Sequence, residues 1–171
     1  MDEIRALHTE ARRYCRARHD EYWEEYRKLV VRLAREEEGY YKTNQYTAEE
    51  LAVYPRYLVL AAILMEVERL VPDACSTLDG LRERLRHIGH NATNNIVGSP
   101  ANDPAVPVMQ DERQQFIEHI SGLTRRKLAG IKLLPFRRVL TDDEYRRHWN
   151  KISERWGKWR TRLFGSRRAF A

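Results

Sequence analysis

From Asp2 to about Glu38 neither proline nor glycine interrupts the chain, and Ile4, His8, Ala11, Cys15, His19, Tyr22, Tyr26, Leu29 and Leu33 recur at spacings of three and four. Side chains three and four apart share one face of an α-helix, so the pattern predicts a single long helix with one continuous stripe. At 1.5 Å per residue a helix of ~36 residues is ~54 Å long, more than a compact domain of this size spans. Part of it is therefore expected to project or to meet another chain, by self-association or through a partner helix. Tyr22, Tyr26, Leu29 and Leu33 are the expected contacts. His8 and His19 fall on the stripe and read as core or boundary histidines rather than ligands.

The remaining punctuation is also helical. Gly39 is placed to cap the first helix, and Thr47-Ala48-Glu49-Glu50 is a capping box that opens a short helical turn. Pro55 fits the first turn of a further helix, Arg56 to Val71, which is apolar on nearly every side until Glu66 and is stopped by Pro72. Ser76 or Thr77 caps the next segment, where Leu78, Leu81, Leu85 and Ile88 face inward and Arg82, Glu83 and Arg86 outward. Residues 91 to 110 carry Pro100, Pro104 and Pro107 and no apolar period, so this stretch reads as a long loop and as the one internal boundary the chain offers. A helix resumes near Gln110 with Phe116, Ile117, Ile120, Leu123 and Leu128 as its stripe. LPFRRVL then makes an extended link, and a second capping box, Thr141 to Glu144, opens a helix carrying Tyr145, Trp149, Ile152 and Trp156. The fold class expected is all-α: one domain over residues 1–171, an antiparallel bundle of about five helices with a long N-terminal helix, a basic C-terminal helix and a basic aromatic tail, residues 157–171.

Several function classes are excluded or disfavoured at this level. Cys15 and Cys75 match neither a disulfide framework nor a CxxC metal site and read as small core residues in a reducing compartment. MDEIRALHTE has no apolar signal core, so a cytoplasmic location is expected and the Asn91-Ala92-Thr93 sequon reads as accidental. The uninterrupted apolar run from Tyr57 to Met65 falls far short of the ~20 residues that span a bilayer, so no transmembrane segment is expected. No Gly-rich phosphate loop, GxSxG elbow, HExxH or clustered acidic metal site is present, and neither a cofactor nor a metal is expected.

Two stretches carry chemistry. The first is LRERLRHIGHNATNN, Leu81 to Asn95. Arg82 and His87 are separated by four residues and Arg84 and His90 by five. This is similar to the Arg-x(4–6)-His motif of the HEPN family of all-α ribonucleases, over about ten residues of the chain. The resemblance implies metal-free RNA cleavage at Arg82, Arg84, His87 and His90, with histidine moving protons and arginine holding the scissile phosphate. The residue after the motif arginine is typically polar in that family. Here Glu83 puts an acid beside the phosphate, and Leu85 is apolar. His87 and His90 are spaced for one helical face, yet a closed zinc site needs about four N or S ligands and no Cys or His pair lies near them in sequence. The simpler account is a helix end: basic side chains and histidines suit a C-terminus, Gly89 loosens it, and Asn91, Asn94 and Asn95 favour caps and turns.

The second stretch is the C-terminal third. Net charge is −1 over residues 1–38, −1 over 39–100 and +8 over 101–171, so the whole +6 excess lies in the last part. From Gly122 to Ala171 there are fifteen basic residues and four acidic ones. The last sixteen, WGKWRTRLFGSRRAFA, hold five basic residues and no acid, with Trp156, Trp159, Phe164 and Phe170 among them. Arginine interleaved with aromatic rings supplies charge for phosphates and flat faces for unstacked bases. The residues expected to contact nucleic acid, RNA or single strands, are Arg125, Arg126, Lys127, Lys132, Arg137, Arg138, Arg146, Arg147, Lys158, Trp159, Arg160, Arg162, Arg167 and Arg168. The same pattern suits an anionic membrane surface or an acidic protein. The function expected is a non-catalytic binding module in a larger complex. The alternatives are the ribonuclease and a helical adaptor.

Overall fold

The computed structural model describes residues 2–36, 47–92, 104–134 and 147. Among them are five α-helices, a single 3-10 turn and no strand: α1 Asp2–Glu36, α2 Ala48–Arg69, the turn Pro72–Ala74, α3 Leu78–Asn91, α4 Ala105–Ser121 and α5 Arg125–Ala129. The protein is an all-α helical bundle. Gly39, the second capping box, Trp149 and Trp156 and the tail 157–171 lie outside the described residues.

α1 buries Ile4, His8, Ala11, Cys15, Tyr26, Leu29 and Leu33 of its stripe. α2 lies along it with Glu49 beside Arg32, Tyr54 on Tyr26, Tyr57 on Trp23 and Glu68 against Arg12, an order that reverses direction. These two helices are therefore antiparallel, and α2 lies along α1 from Arg32 back to His8. α3 and α4 pair in the same sense, with His90 beside Arg113, Gly89 on Ile117 and Arg86 beside Ser121. One apolar cluster runs from Ile4 and Leu7 of α1 through Val59 and Ile63 of α2 and Leu81 and Leu85 of α3 to Phe116 and Ile120 of α4 and Leu128 of α5. The elements on both sides of residues 93–103 thus share one core.

Local rules explain most helix ends, and three expectations need correction. Thr47 forms the capping box, accepting from Glu50 N at 3.2 Å while Glu50 Oε2 accepts from Thr47 N at 3.0 Å. The helix it opens does not stop after a turn, however. It runs through Pro55 to Arg69 as one element. A proline inside a helix removes one hydrogen bond and costs ~3 kcal/mol. Here the ring is fully buried, and the capped first turns and the apolar face beyond it offset that cost. Secondly, α4 begins at Ala105 rather than near Gln110. Pro107 sits in the first turn, where backbone N–H groups have no intrahelical acceptor to lose. Thirdly, the apolar stripe continues past α4, but Gly122 ends that helix, and Thr124, accepting from Lys127 N at 3.3 Å, starts α5.

Candidate functional site

α3 carries the Arg/His cluster. Thr77 caps it, accepting from Gly80 N at 3.0 Å, and the helix continues without a break to Asn91. Gly89 is not a loosened end. A Cβ there would lie 2.9 Å from Ile117 Cγ1 and 3.2 Å from Phe116 Cδ1, so the glycine is what lets α3 and α4 approach this closely. At about 100° per residue, Arg82 and His87 project about 140° apart around α3, and Arg84 and His90 about 120° apart. Neither Arg–His pair therefore shares a face. Arg82 turns towards the α4–α5 connection, donates to Leu123 O and lies 3.6 Å from Asp79. His90 is exposed on the last turn.

The helix phase does bring Arg84 and His87 together. They line a shallow groove of about 470 Å³ between the end of α2 and α3, with Glu66, Arg69, Leu70, Glu83 and Ile88. His87 Nε2 accepts from Asn91 Nδ2 at 2.7 Å. Glu66 faces Arg69 at 3.6 Å and Glu83 faces Arg86 at 3.3 Å, so the acids of the rim are taken by neighbours. Among the described residues, no three His, Cys, Asp or Glu side chains converge as metal ligands would.

The cationic segment begins on α5. Arg125, Arg126, Lys127 and, beyond the helix, Lys132 are all exposed, as is Arg147. Residues 125–134 lie along the first turns of α1: Arg125 Nε is 3.7 Å from Glu3, Arg13 donates to Lys132 O at 2.5 Å, and Leu134 N donates to Thr9 Oγ1 at 3.4 Å. Leu128 is buried and anchors α5. Arg137, Arg138, Arg146, Lys158, Trp159, Arg160, Arg162, Arg167 and Arg168 lie outside the described residues.

The expected partner face needs correction. Tyr26, Leu29 and Leu33 are already buried within this chain, at 8%, 9% and 4% exposure, because α2 lies over them. Tyr26 stacks on Tyr54 with ring centroids 4.6 Å apart. Tyr22 is half-buried and donates to Glu112 Oε2 at 3.3 Å. These four side chains pack α1 against its own bundle among the described residues.

The sequence reading missed a buried ionic cluster where α1, α2 and α4 meet. Glu112 has no exposed surface. Arg18 grips it with Nε at 2.6 Å from Oε1 and Nη2 at 2.9 Å from Oε2, and Arg56 Nη1 donates to Oε2 at 2.9 Å. Arg56 also pairs with Asp111 at 2.7 Å, and Arg18 donates to Gln115 Oε1 at 2.9 Å. The Glu112 hydrogen bonds raise the Arg18 pKa against the opposing effect of burial. Burial lowers that of Arg56, but its hydrogen bonds to Glu112 and Asp111 outweigh burial and the net shift is upward. Both guanidiniums are therefore locked in the charged form. The Arg56 hydrogen bond in turn holds the Asp111 carboxyl below its ordinary range. Burial pushes the Tyr14 hydroxyl, beside Arg18, up to about 12. Glu112, Arg18, Arg56 and Asp111 all have partners here, and the cluster ties three helices together.

No helix among the described residues is long and apolar enough to cross a membrane. No protein-family model, curated protein or solved structure matches the chain.

Proposed function

We propose that the protein is a non-catalytic helical binding module whose basic C-terminal third contacts nucleic acid, RNA or single strands, as an accessory part of a larger complex. The observation that carries this reading is the contrast between two kinds of cationic surface. Over much of the bundle arginines sit against carboxylates: Arg5 on Asp73, Arg16 on Glu68, Arg27 on Glu24, Arg32 on Glu49 and Arg86 on Glu83. On the 125–134 segment, Arg126, Lys127 and Lys132 are exposed and no carboxylate among the described residues pairs with them. A solvated basic face that only keeps a protein soluble gains from interspersed acids, whereas a phosphate-tracking surface is weakened by them.

The test is fluorescence anisotropy of a labelled single-stranded RNA over a range of salt, comparing wild type with the Arg126→Glu/Lys127→Glu/Lys132→Glu variant. Each phosphate contact on a single strand contributes about 0.7 to the slope of log affinity against log salt, so loss of three makes the slope shallower by about 2. Unchanged affinity and slope would remove this segment from the footprint.

A further inference from the structure

We propose that His8 is an acid-sensitive latch holding the first turns of α1 to the C-terminal end of α2. The imidazole is 4% exposed, and its Nε2 lies 2.8 Å from Val67 O, a carbonyl in the last turn of α2 that also accepts from Leu70 N at 3.2 Å. Nε2 therefore carries the hydrogen and donates. One turn along α1, the Arg12 side chain is almost as buried, and its guanidinium reaches Glu68 Oε1 at 3.8 Å. Arg16 holds that same oxygen at 2.5 Å.

Burial and the Arg12 guanidinium both disfavour a second proton on the ring. The charged groups that act on the ring are Arg12 of α1 and the facing Glu68 of α2. On the 3-10 turn the carboxylate is Asp73, already taken by Arg5 at 2.8 Å. α3 and α5 meet this end of the bundle through Leu78, Leu81, Leu85 and Leu128. Charged pairs on the elements packed against α1 are Asp79–Arg82 on α3, Glu3–Arg125 between α1 and α5, and Glu10–His119 between α1 and α4 at 3.3 Å. A proton on His8 would put a third cation beside a carboxylate that two guanidiniums already share. Burial holds the imidazole below its ordinary pKa. The Val67 carbonyl works against burial, Arg12 works with it, and Glu68 and the Leu70 backbone work against it.

Acid therefore favours withdrawal of this ring from between the helices. Thr9 and Arg13 hold residues 132–134 to the same turns of α1. Release of the latch consequently loosens the seat of the cationic segment along with the helix pair. The device rests on α1 and α2 and not on nucleic-acid binding, so either proposal can fail without the other.

The experiment is hydrogen–deuterium exchange, corrected for the intrinsic rate, on the full chain at about pH 7.5 and about pH 5, on either side of the ordinary histidine pKa of ~6.5. Peptides from the first turns of α1 and the end of α2 should lose protection in acid, by up to about thirtyfold, the ceiling set by the ~1.5 units between the ordinary histidine pKa and pH 5. In His8→Gln, whose amide keeps a donor for Val67 O but does not titrate, that loss should disappear. Equal acid sensitivity in both proteins would overturn the latch. Should the glutamine variant not fold, an NMR titration of the six wild-type histidines decides the matter: a His8 resonance titrating at or above the free-histidine value overturns it, and one titrating below upholds it.

Discussion

Replacing Glu112 by Gln keeps the shape of the side chain and removes its charge, so it isolates what the buried cluster contributes. In the wild type, one carboxylate with no exposed surface satisfies three guanidinium N–H groups and a tyrosine hydroxyl. The amide offers one acceptor oxygen and turns an NH2 group towards two cations. Removing one partner of a buried ion pair costs about 3–5 kcal/mol because the other charge remains desolvated. The Arg18 and Arg56 side chains keep 27% and 22% of their surface in water, which places the expected loss near the low end, about 3 kcal/mol. For a domain of this size that lowers the thermal midpoint by about 6–12 °C. The assay is urea unfolding followed by far-ultraviolet circular dichroism, on wild type, Glu112→Gln, Arg18→Met/Arg56→Met and the triple variant. In the double-Met background the buried carboxylate is itself the stranded charge, so Glu112→Gln should cost nothing there and should be neutral or stabilising. A loss below about 1 kcal/mol in the wild-type background would refute the argument, since it would mean that water screens the carboxylate despite its burial.

Other changes test the helix packing and the Arg/His cluster. Gly89→Ala should destabilise by about 1 kcal/mol net in the same urea assay, since overpacking against Ile117 and Phe116 costs about 1–3 kcal/mol and the gain in helix propensity returns about 1. A stabilised alanine variant would mean that α3 and α4 part easily. His90→Ala should leave stability within about 1 kcal/mol, because it removes only an exposed helix-end side chain and spares the backbone carbonyl that Arg113 Nη1 reaches at 2.8 Å. Metal-free RNA cleavage by wild type in excess EDTA, abolished by both His90→Ala and Arg84→Ala, would count against a non-catalytic module.

The parts of the fold that could be read from the sequence are those set by short-range periodicity. The α1 stripe, the Thr47 capping box, the Thr77 cap and the inward leucines of α3 each depend on residues within a turn or two of one another, and the structure has them all. The misreadings of Pro55 and of the start of α4 arose where tertiary packing or helix-end chemistry outweighs a local breaker, and that of the break before α5 where the breaker Gly122 interrupts a continuing apolar stripe. The stripe position of Tyr26, Leu29 and Leu33 was legible, but not that they are buried within this chain. A periodic stripe says that a face is covered but not by what, and α2 was already there.

The buried cluster marks the other limit, although half of its signal is present in the sequence. Met109, Glu112, Phe116 and Ile120 keep a spacing of three and four, so Glu112 occupies a stripe position that an apolar residue would normally fill. A carboxylate at such a position is retained only if a cation meets it. Its partner Arg18 lies 94 residues away, in a stretch of α1 crowded with other arginines, and no periodicity selects among them. Fold geometry alone makes that choice. The charge excess of the C-terminal third is legible for the opposite reason: a sum of charges is independent of which residues touch. It therefore bears on the kind of partner proposed above without reference to contacts, whereas a statement about catalysis at Arg84 and His87 depends on helix phase. The phase puts those two side chains on one groove and separates Arg82 from His87 and Arg84 from His90.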